Sequence, residues 1–370
     1  MKRVYITGTG MYQPTKVITN AELVKAFNAY AELFNTRHAA RIEAGEVEAK
    51  VASSVEFIEK ASGIKQRYVI DKTGVLDPQR MYPRIEPRAD NELSLMAEIG
   101  VAAIEQALAG AGRRGGEIDA VLCASANMQR AYPAMAIEIQ EAIGARGYGF
   151  DMNVACSSAT FGLEQAVNAI RCGTASKVLV VSPEITSAHL EWRDRDCHFI
   201  FGDVCTALVV ESEPSSGAWE VLGTRLATQF SSNIRNNFGF LNRCEDTPAD
   251  ARDKTFMQEG RKVFKEVVPM AAAHIESHLS ALGLQAAQVR RFWLHQANLG
   301  MNQLVMRKLL GRDAESDIAP VILDEFANTA SAGSIIAFHR HRADLAPGDC
   351  GVICSFGAGY SIGSVVVRRA

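Results

Sequence analysis

The chain repeats itself. The run VLCASAN at 121–127 matches FWLHQAN at 292–298. About 29 residues after the first comes CSSATFG, beginning at Cys156, and about 30 after the second comes NTASAGS, beginning at Asn328. Some 22 to 24 residues further on stand VLVVS (178–182) and GVICS (351–355). Three matched segments at matched spacing imply a duplicated unit. In the first unit, 118–125, 148–154, 177–182 and 206–211 read as strands. Helices at 134–143 and from Cys156 to about Arg171 alternate with them. Strands alternating with helices predict an α/β chain with a mostly parallel sheet and helices packed on it. The expected division is 1–212 and 213–370, two similar halves packed together.

The remainder reads as connections and insertions. Residues 4–9 form a strand, and Gly8-Thr9-Gly10 lacks the third glycine of a dinucleotide fingerprint, so a plain turn is predicted there. Thr19-Asn20-Ala21-Glu22 is a capping box opening a helix to about Gly45, with Leu23, Phe27, Tyr30 and Phe34 on one side. A second helix opens at Ser53-Ser54-Val55-Glu56 and ends at Gly63. Residues 71–92, rich in Pro, Arg and Asp, predict a long surface excursion. Residues 94–111 form a strong helix stopped by Gly112. A hydrophobic content of 48% with 22% charged residues is that of a globular protein. A net charge of −3 gives no reason to expect nucleic acid or an anionic membrane as partner. No apolar run is long enough to span a bilayer. Eight cysteines without framework spacing, after a start lacking a signal-peptide pattern, predict free thiols in the cytoplasm.

Three residue types carry the chemistry. A strand that ends at Cys156 and turns into a helix puts the sulfur at a helix N-terminus, which favours the nucleophilic thiolate. His295 ends the FWLH strand. Asn328 precedes a helix at the place that mirrors Cys156. Strand ends in such sheets converge on active sites, so the three are expected to share one site. Taken singly, each has a plainer explanation as a buried thiol, a core histidine or a helix cap. His339 and His341 lie among arginines and read as a solvated face. His274 and His278 sit at helical spacing, but no third metal ligand accompanies them, and no metal is expected. Near the C-terminus a strand at 349–355 leads to a tight turn, Phe356-Gly357-Ala358-Gly359-Tyr360, and a last strand. Backbone N–H groups there could form half of an oxyanion hole.

The motifs NVACSSATFGL, LHQANL (294–299), ANTASAGS (327–334) and SFGAGYSIGS (355–364) resemble those of thiolase-fold condensing enzymes, closest to β-ketoacyl-acyl carrier protein synthase III. IFGD (200–203) and SGIKQRYV (62–69) fit as well. The resemblance covers nearly the whole chain outside about 28–55 and 71–92. It implies a thiolase-like fold: two βαβαβ halves in a five-layered α-β-α-β-α arrangement. It implies that Cys156 takes the acyl group from an acyl thioester, with the N–H groups of Cys156 and Ala358 as oxyanion hole. His295 and Asn328 would bind the malonyl thioester carbonyl while carbon dioxide leaves, beside Phe356 and Gly357. Phe57, Arg195 and Asn298 would lie along the coenzyme A or carrier arm. Phe57 stands where the family usually has tryptophan, and Ala61 and Gly300 where it has arginines. The substrates implied are acyl-CoA and malonyl-acyl carrier protein, without a further cofactor, in a homodimer. The insertions, with MQRAYPAM at 128–135, resemble those of a medium-chain, β-ketodecanoyl-forming subgroup. Other thioester enzymes of the fold are the alternative, non-decarboxylating or in secondary metabolism. A synthase of the 3-hydroxy-3-methylglutaryl-CoA type would need a carboxylate base near the cysteine. Papain-type peptidases share the order Cys, His, Asn, but their local cysteine setting is missing here.

Overall fold

The computed structural model describes residues 2–248 and 251–370. Strand β1 (Tyr5–Tyr12) is followed by a small antiparallel pair, β2 (Lys16–Thr19) with β3 (Gln66–Val69). Between these lie helices α1 (Asn20–Arg37), α2 (Ala39–Glu43) and α3 (Val55–Ser62). The predicted capping box forms. Thr19 Oγ1 accepts from the Glu22 backbone N–H, and the Glu22 carboxylate accepts from that of Thr19. Ser54 caps α3 by accepting from the Phe57 N–H. Residues 71–92 hold no helix or strand. The Asp71 carboxylate fixes their path by accepting from the backbone N–H groups of Thr73, Gly74 and Arg84.

The first half continues through α4 (Leu95–Ala111), β4 (Ala120–Ala124), α5 (Met135–Ala142), β5 (Tyr148–Met152), α6 (Ser158–Cys172), β6 (Lys177–Glu184) and β7 (Val204–Glu211). The second begins with β8 (Trp219–Ser231), the short pair β9 (Ile234–Arg235) and β10 (Met257–Gln258), and α7 (Gly260–Ala281). It ends with β11 (Arg291–Leu294), α8 (Leu299–Leu310), α9 (Leu323–Phe326), α10 (Gly333–Arg340), β12 (Cys350–Gly357) and β13 (Gly359–Arg369).

Nine strands form one sheet in the order β11-β12-β13-β8-β1-β7-β6-β4-β5. Reading outward from the middle, β1, β7, β6 and β4 take the same places as β8, β13, β12 and β11. The sequence repeat is therefore also a repeat of topology. β5 has no strand counterpart among the described residues; at that place the Phe292 N–H bonds the Ile318 carbonyl. The halves join where β1 pairs with β8 at Tyr5–Glu220 and Ile6–Trp219.

The layers follow from which faces are apolar. Ile99, Ile104 and Ile139 of α4 and α5 pack on Val121, Val181 and Val209. On the opposite outer face, Val267, Ile275 and Val305 of α7 and α8 cover Phe292, Val352 and Val366. α6 and α10 lie between the half-sheets, where Leu163, Val167, Ile335 and Phe338 share a core with Val180, Leu208, Trp293 and Val365. This is the expected five-layered arrangement. Truncating a ring at its centre, such as Phe338, would cost about 3–5 kcal/mol.

Three expectations are corrected. The sheet is mixed, not mostly parallel: β4–β5, β4–β6 and β11–β12 are parallel, and the remaining neighbours run antiparallel. A parallel neighbour requires a crossover. The last strand of each half returns without one, as at Ala358 between β12 and β13. Gly8 and Gly10 are not in a turn but inside β1. A Cβ on Gly8 would stand 2.0 Å from the Ala107 carbonyl oxygen, and one on Gly10 2.0 Å from that of Ala103, so the pair lets α4 lie directly on the strand. His339 is not on a solvated face. Its Nδ1 is 2.8 Å from Thr9 Oγ1, and burial lowers its pKa to about 4.

Candidate active site

The cysteine is delivered by a strained turn. β5 ends at Met152, and the Asn153 side-chain oxygen accepts the Ala155 N–H at 2.8 Å. Ala155 is left-handed, with φ of 47°. A non-glycine residue there costs on the order of 1–3 kcal/mol and persists only where the surroundings enforce it. A single 3-10 turn, Ala155–Ser157, then leads into α6. Cys156 emerges on a cavity of about 910 Å³ that His295, Asn328, Phe356 and Gly357 also line. The three expected residues thus do meet in one place. Gly357 lies against the cysteine: a Cβ there would be 2.6 Å from Cys156 Cβ and 2.9 Å from its sulfur. Phe356 and Gly357 belong to β12 rather than to a loop.

Asn328 arrives by the same turn in the other half, but in a different register from the one the sequence suggests. Its side-chain oxygen accepts the Ala330 N–H at 2.9 Å. Ala330 has φ of 48°, and the turn Ala330–Ala332 leads into α10. Residue for residue, Asn328 is therefore the counterpart of Asn153, and Ser331 is the counterpart of Cys156. The motif alignment set Asn328 opposite Cys156, three residues out. Strings of Ala, Ser and Gly match at several offsets, and only the backbone distinguishes them.

Electrostatics set the resting state. Burial pushes the Cys156 thiol up to about 12, and the neighbouring charge of Glu184 adds to this. The N–H groups of Ala358 and of Cys156 itself act in the opposite sense. The helix N-terminus was expected to favour thiolate. Desolvation outweighs it, and the resting group is the thiol. His295 is buried, and desolvation lowers its pKa to about 4, so the ring is neutral near pH 7. Its Nδ1 is buried without a hydrogen-bond partner. A proton on Nδ1 would be an orphaned buried N–H, which folded proteins rarely leave, so the ring proton is assigned to Nε2. The Phe356 ring stands edge-to-face to His295 at 5.4 Å. With its oxygen engaged by Ala330, Asn328 has its NH2 group left as a donor. The cavity therefore joins a thiol to a neutral imidazole, an amide donor and an apolar ring.

The outer residues divide. Phe57, Ala61 and Asn298 line the same cavity. Asn298 caps α8 and donates to the Ala61 carbonyl at 2.7 Å, bridging α8 to α3. Arg195 does not line the cavity; its guanidinium covers the Phe57 ring at 3.7 Å. Ala358 reaches the site only through its N–H. The His274 and His278 rings are each engaged elsewhere, with the Arg225 carbonyl and the Ser364 hydroxyl.

Sequence reasoning missed Glu184. It ends β6 and is buried, accepting from the Ala126 N–H at 3.0 Å and from the Ser331 hydroxyl and N–H. Burial raises its pKa to about 7. A glutamate closing the apolar run VLVVSPE was the available signal. It does not line the cavity, so it is not the carboxylate base that a synthase of the 3-hydroxy-3-methylglutaryl-CoA type would need.

The chain has recognisable relatives among known proteins. Residues 150–229 match the family model for 3-oxoacyl-[acyl-carrier-protein] synthase III, and residues 279–369 match the model for its C-terminal part. The chain is 57% identical to a β-ketodecanoyl-[acyl-carrier-protein] synthase from Pseudomonas aeruginosa, over 94% of this chain and all of that protein. It is 29% identical to a β-ketoacyl-[acyl-carrier-protein] synthase III from Granulibacter bethesdensis over the full length of both. The crystal structure of a 3-oxoacyl-[acyl-carrier-protein] synthase III from Aquifex aeolicus superposes with a TM-score of 0.77 at 24% identity, over 99% of each chain, which speaks for the fold. The chain belongs to the β-ketoacyl-acyl carrier protein synthase III family.

Proposed function

We propose that the protein condenses a medium-chain acyl-CoA with malonyl-acyl carrier protein, with loss of carbon dioxide, through an acyl enzyme on Cys156. The observation that carries this reading is the meeting of Cys156, His295 and Asn328 in one cavity. In the first half-reaction Cys156 attacks the acyl thioester, its proton leaves with the coenzyme A thiol, and the acyl group stays on sulfur. The Cys156 and Ala358 N–H groups hold the developing oxyanion. In the second, malonyl thioester loses carbon dioxide to give an enolate, whose oxygen accepts from His295 Nε2–H and the Asn328 NH2. A neutral imidazole suits this role, because it donates without protonating the enolate outright. Phe356 offers the leaving carboxylate an apolar neighbour, which favours its departure as neutral carbon dioxide. The enolate carbon attacks the acyl-Cys156 carbonyl, the C–S bond breaks, β-ketoacyl-carrier protein forms, and the released Cys156 thiolate takes up a proton from solvent.

The similarity to a β-ketodecanoyl synthase supports an octanoyl donor, two carbons short of the product chain. A homodimer fits the free edge of β5, where Tyr148 and Phe150 are exposed, stacked and parallel. No helix among the described residues is long and apolar enough to cross a membrane. The test is intact mass after mixing with acyl-CoAs of graded length, followed by malonyl-carrier protein. An adduct on Cys156, largest for octanoyl and chased off as β-ketodecanoyl-carrier protein, is the expected result. An adduct that malonyl-carrier protein cannot discharge would point to acyl transfer instead.

A further inference from the structure

The two N–H groups assigned to the acyl oxyanion come from different halves of the fold. One belongs to Cys156, on the turn that leads into α6, and the other to Ala358, between β12 and β13. Their common aim depends on how the halves are joined at this point. Ala358 and Gly359 have no polar side chain to hold them. Gly359 also has φ of 129°, a conformation that only glycine adopts freely. What fixes this turn must therefore come from the residues on either side of it.

On one side Gly357 packs directly against Cys156. On the other stands Ser361, buried near the start of β13. Its Oγ is 2.9 Å from the Ala358 carbonyl oxygen, 2.9 Å from Ser157 Oγ and 3.3 Å from the Val154 carbonyl oxygen. The Ser157 hydroxyl in turn donates to the Ser361 carbonyl at 3.2 Å. With that proton committed, the Ser361 proton is left for the two carbonyls and the Ser157 oxygen. Val154 and Ser157 stand on either side of Cys156 in the chain. One buried hydroxyl thus touches both the turn that bears Ala358 and the turn that bears Cys156. The neighbouring Tyr360 makes a contrast. Its hydroxyl donates to Glu266 of α7 at 2.8 Å and accepts from Asn233 Nδ2 at 2.9 Å. Both partners belong to the second half, so these bonds tie nothing across the joint.

We propose that Ser361 is a clasp across the joint between the halves, holding the Ala358 and Cys156 N–H groups aimed at one point, so that the thioester oxygen meets two donors already in place. The inference rests on the thioester reading above. Ser361 does not line the cavity. It is a positioning residue, acting through Ala358 on one side and through Val154 and Ser157 on the other. Fixed donors stabilise a developing oxyanion most when they need no rearrangement as the charge forms. His295 and Asn328 serve a different oxygen, that of the malonyl thioester, and take no part in the clasp. The clasp should therefore weigh on acylation of Cys156 and leave decarboxylation alone.

The test reads three quantities. Single-turnover acylation by octanoyl-CoA is followed by intact mass, and carbon dioxide release from malonyl-carrier protein is measured on its own. Iodoacetamide alkylation of Cys156 against pH needs no thioester. Ser361→Ala should lower the maximal acylation rate about tenfold or more with half-saturation kept, because donors are misaligned and no binding contact is lost. Carbon dioxide release should stay within about twofold of wild type. The alkylation profile should move to higher pH, because the Ala358 N–H that favours the thiolate is less well placed. Ser157→Ala removes the partner hydroxyl from the other half. It should show the same pattern in smaller measure, and it carries the test if Ser361→Ala does not fold. Tyr360→Phe deletes the neighbouring buried hydroxyl and should leave all three readings as in wild type. Acylation at the wild-type rate in Ser361→Ala would overturn the proposal, as would an unmoved alkylation profile. So would equal slowing of both half-reactions, or equal slowing by Tyr360→Phe, since either marks a hydroxyl that only supports the fold. No adduct from octanoyl-CoA on wild-type protein whose Cys156 still reacts with iodoacetamide would overturn the thioester reading itself, and this proposal with it.

Discussion

The two strained turns of this molecule share one pattern of hydrogen bond and backbone twist, yet they put different residues to use. Each begins with an asparagine whose oxygen accepts the N–H two residues on, Asn153 at 2.8 Å and Asn328 at 2.9 Å. Each then passes through a left-handed alanine, Ala155 or Ala330, into one 3-10 turn and an inner-layer helix. In the first turn the fourth residue, Cys156, faces the cavity, while the Asn153 NH2 is engaged by the Ala126 carbonyl at 2.9 Å. In the second, the asparagine faces the cavity, while the fourth residue, Ser331, is buried against Glu184 and the Ala124 carbonyl. A duplicated backbone supplies two platforms. What each side chain can do depends on which partner the rest of the fold has already given it.

The largest expected effect is at the turn that holds the nucleophile. Cys156→Ala should lower condensation by more than about a thousandfold and abolish the intact-mass adduct. Ser331→Cys puts a thiol at the equivalent position of the other turn, and no acyl adduct should appear on it, because that site is buried away from the cavity. An adduct on residue 331 would break the comparison. Next comes the charge between the turns. Glu184→Gln keeps an acceptor for Ser331 and Ala126 but removes the negative charge near Cys156. The alkylation–pH profile of Cys156 should move to lower pH, so that alkylation is faster at a fixed pH above about 7, where Glu184 carries its charge. An unmoved profile would mean that Glu184 acts through packing alone.

Smaller effects concern protons on the second platform's partner. His295 has an ordinary value of 6.5 lowered to about 4. The unfolded chain therefore takes up this proton first, and the group's contribution to stability, full above about 6.5, is lost as pH falls toward 4. Decarboxylation by the folded enzyme should not show a loss centred at 6.5, the value of a free imidazole. Stopped assays of carbon dioxide release from pH 5 to 8 test this, and a midpoint near 6.5 would contradict a desolvated ring.

Much of this was legible in the sequence, for identifiable reasons. Apolar runs ending at Cys156 and His295 mark strand ends, and strand ends meet at the site. The capping box at Thr19 and the stop at Gly112 are local chemistry that tertiary contacts did not override. The sheet's direction was only half legible: the tight turn at 356–360 already implies an antiparallel last strand, whereas nothing in residues 185–203 marks the direction of β7. Gly8 and Gly10 were misread as a turn, since a glycine needed for helix contact looks the same as one needed for chain reversal. The three-residue slip between Cys156 and Asn328 has the same origin: small residues carry little register. Glu184 escaped because its meaning depends on Ser331, 147 positions later in the chain.

The most direct test of the account sets the two asparagines against each other. Asn328→Ala and Asn153→Ala each remove the same side chain from the same turn. The two half-reactions are then measured separately, adduct formation on Cys156 by intact mass and carbon dioxide release from malonyl-carrier protein. Asn328→Ala should acylate normally and release carbon dioxide about a hundredfold or more slowly. Asn153→Ala should keep both half-reactions and lose about 1 kcal/mol of stability. Equal loss of decarboxylation in the two variants, or an Asn328→Ala enzyme that cannot be acylated, would contradict the division of labour between the turns.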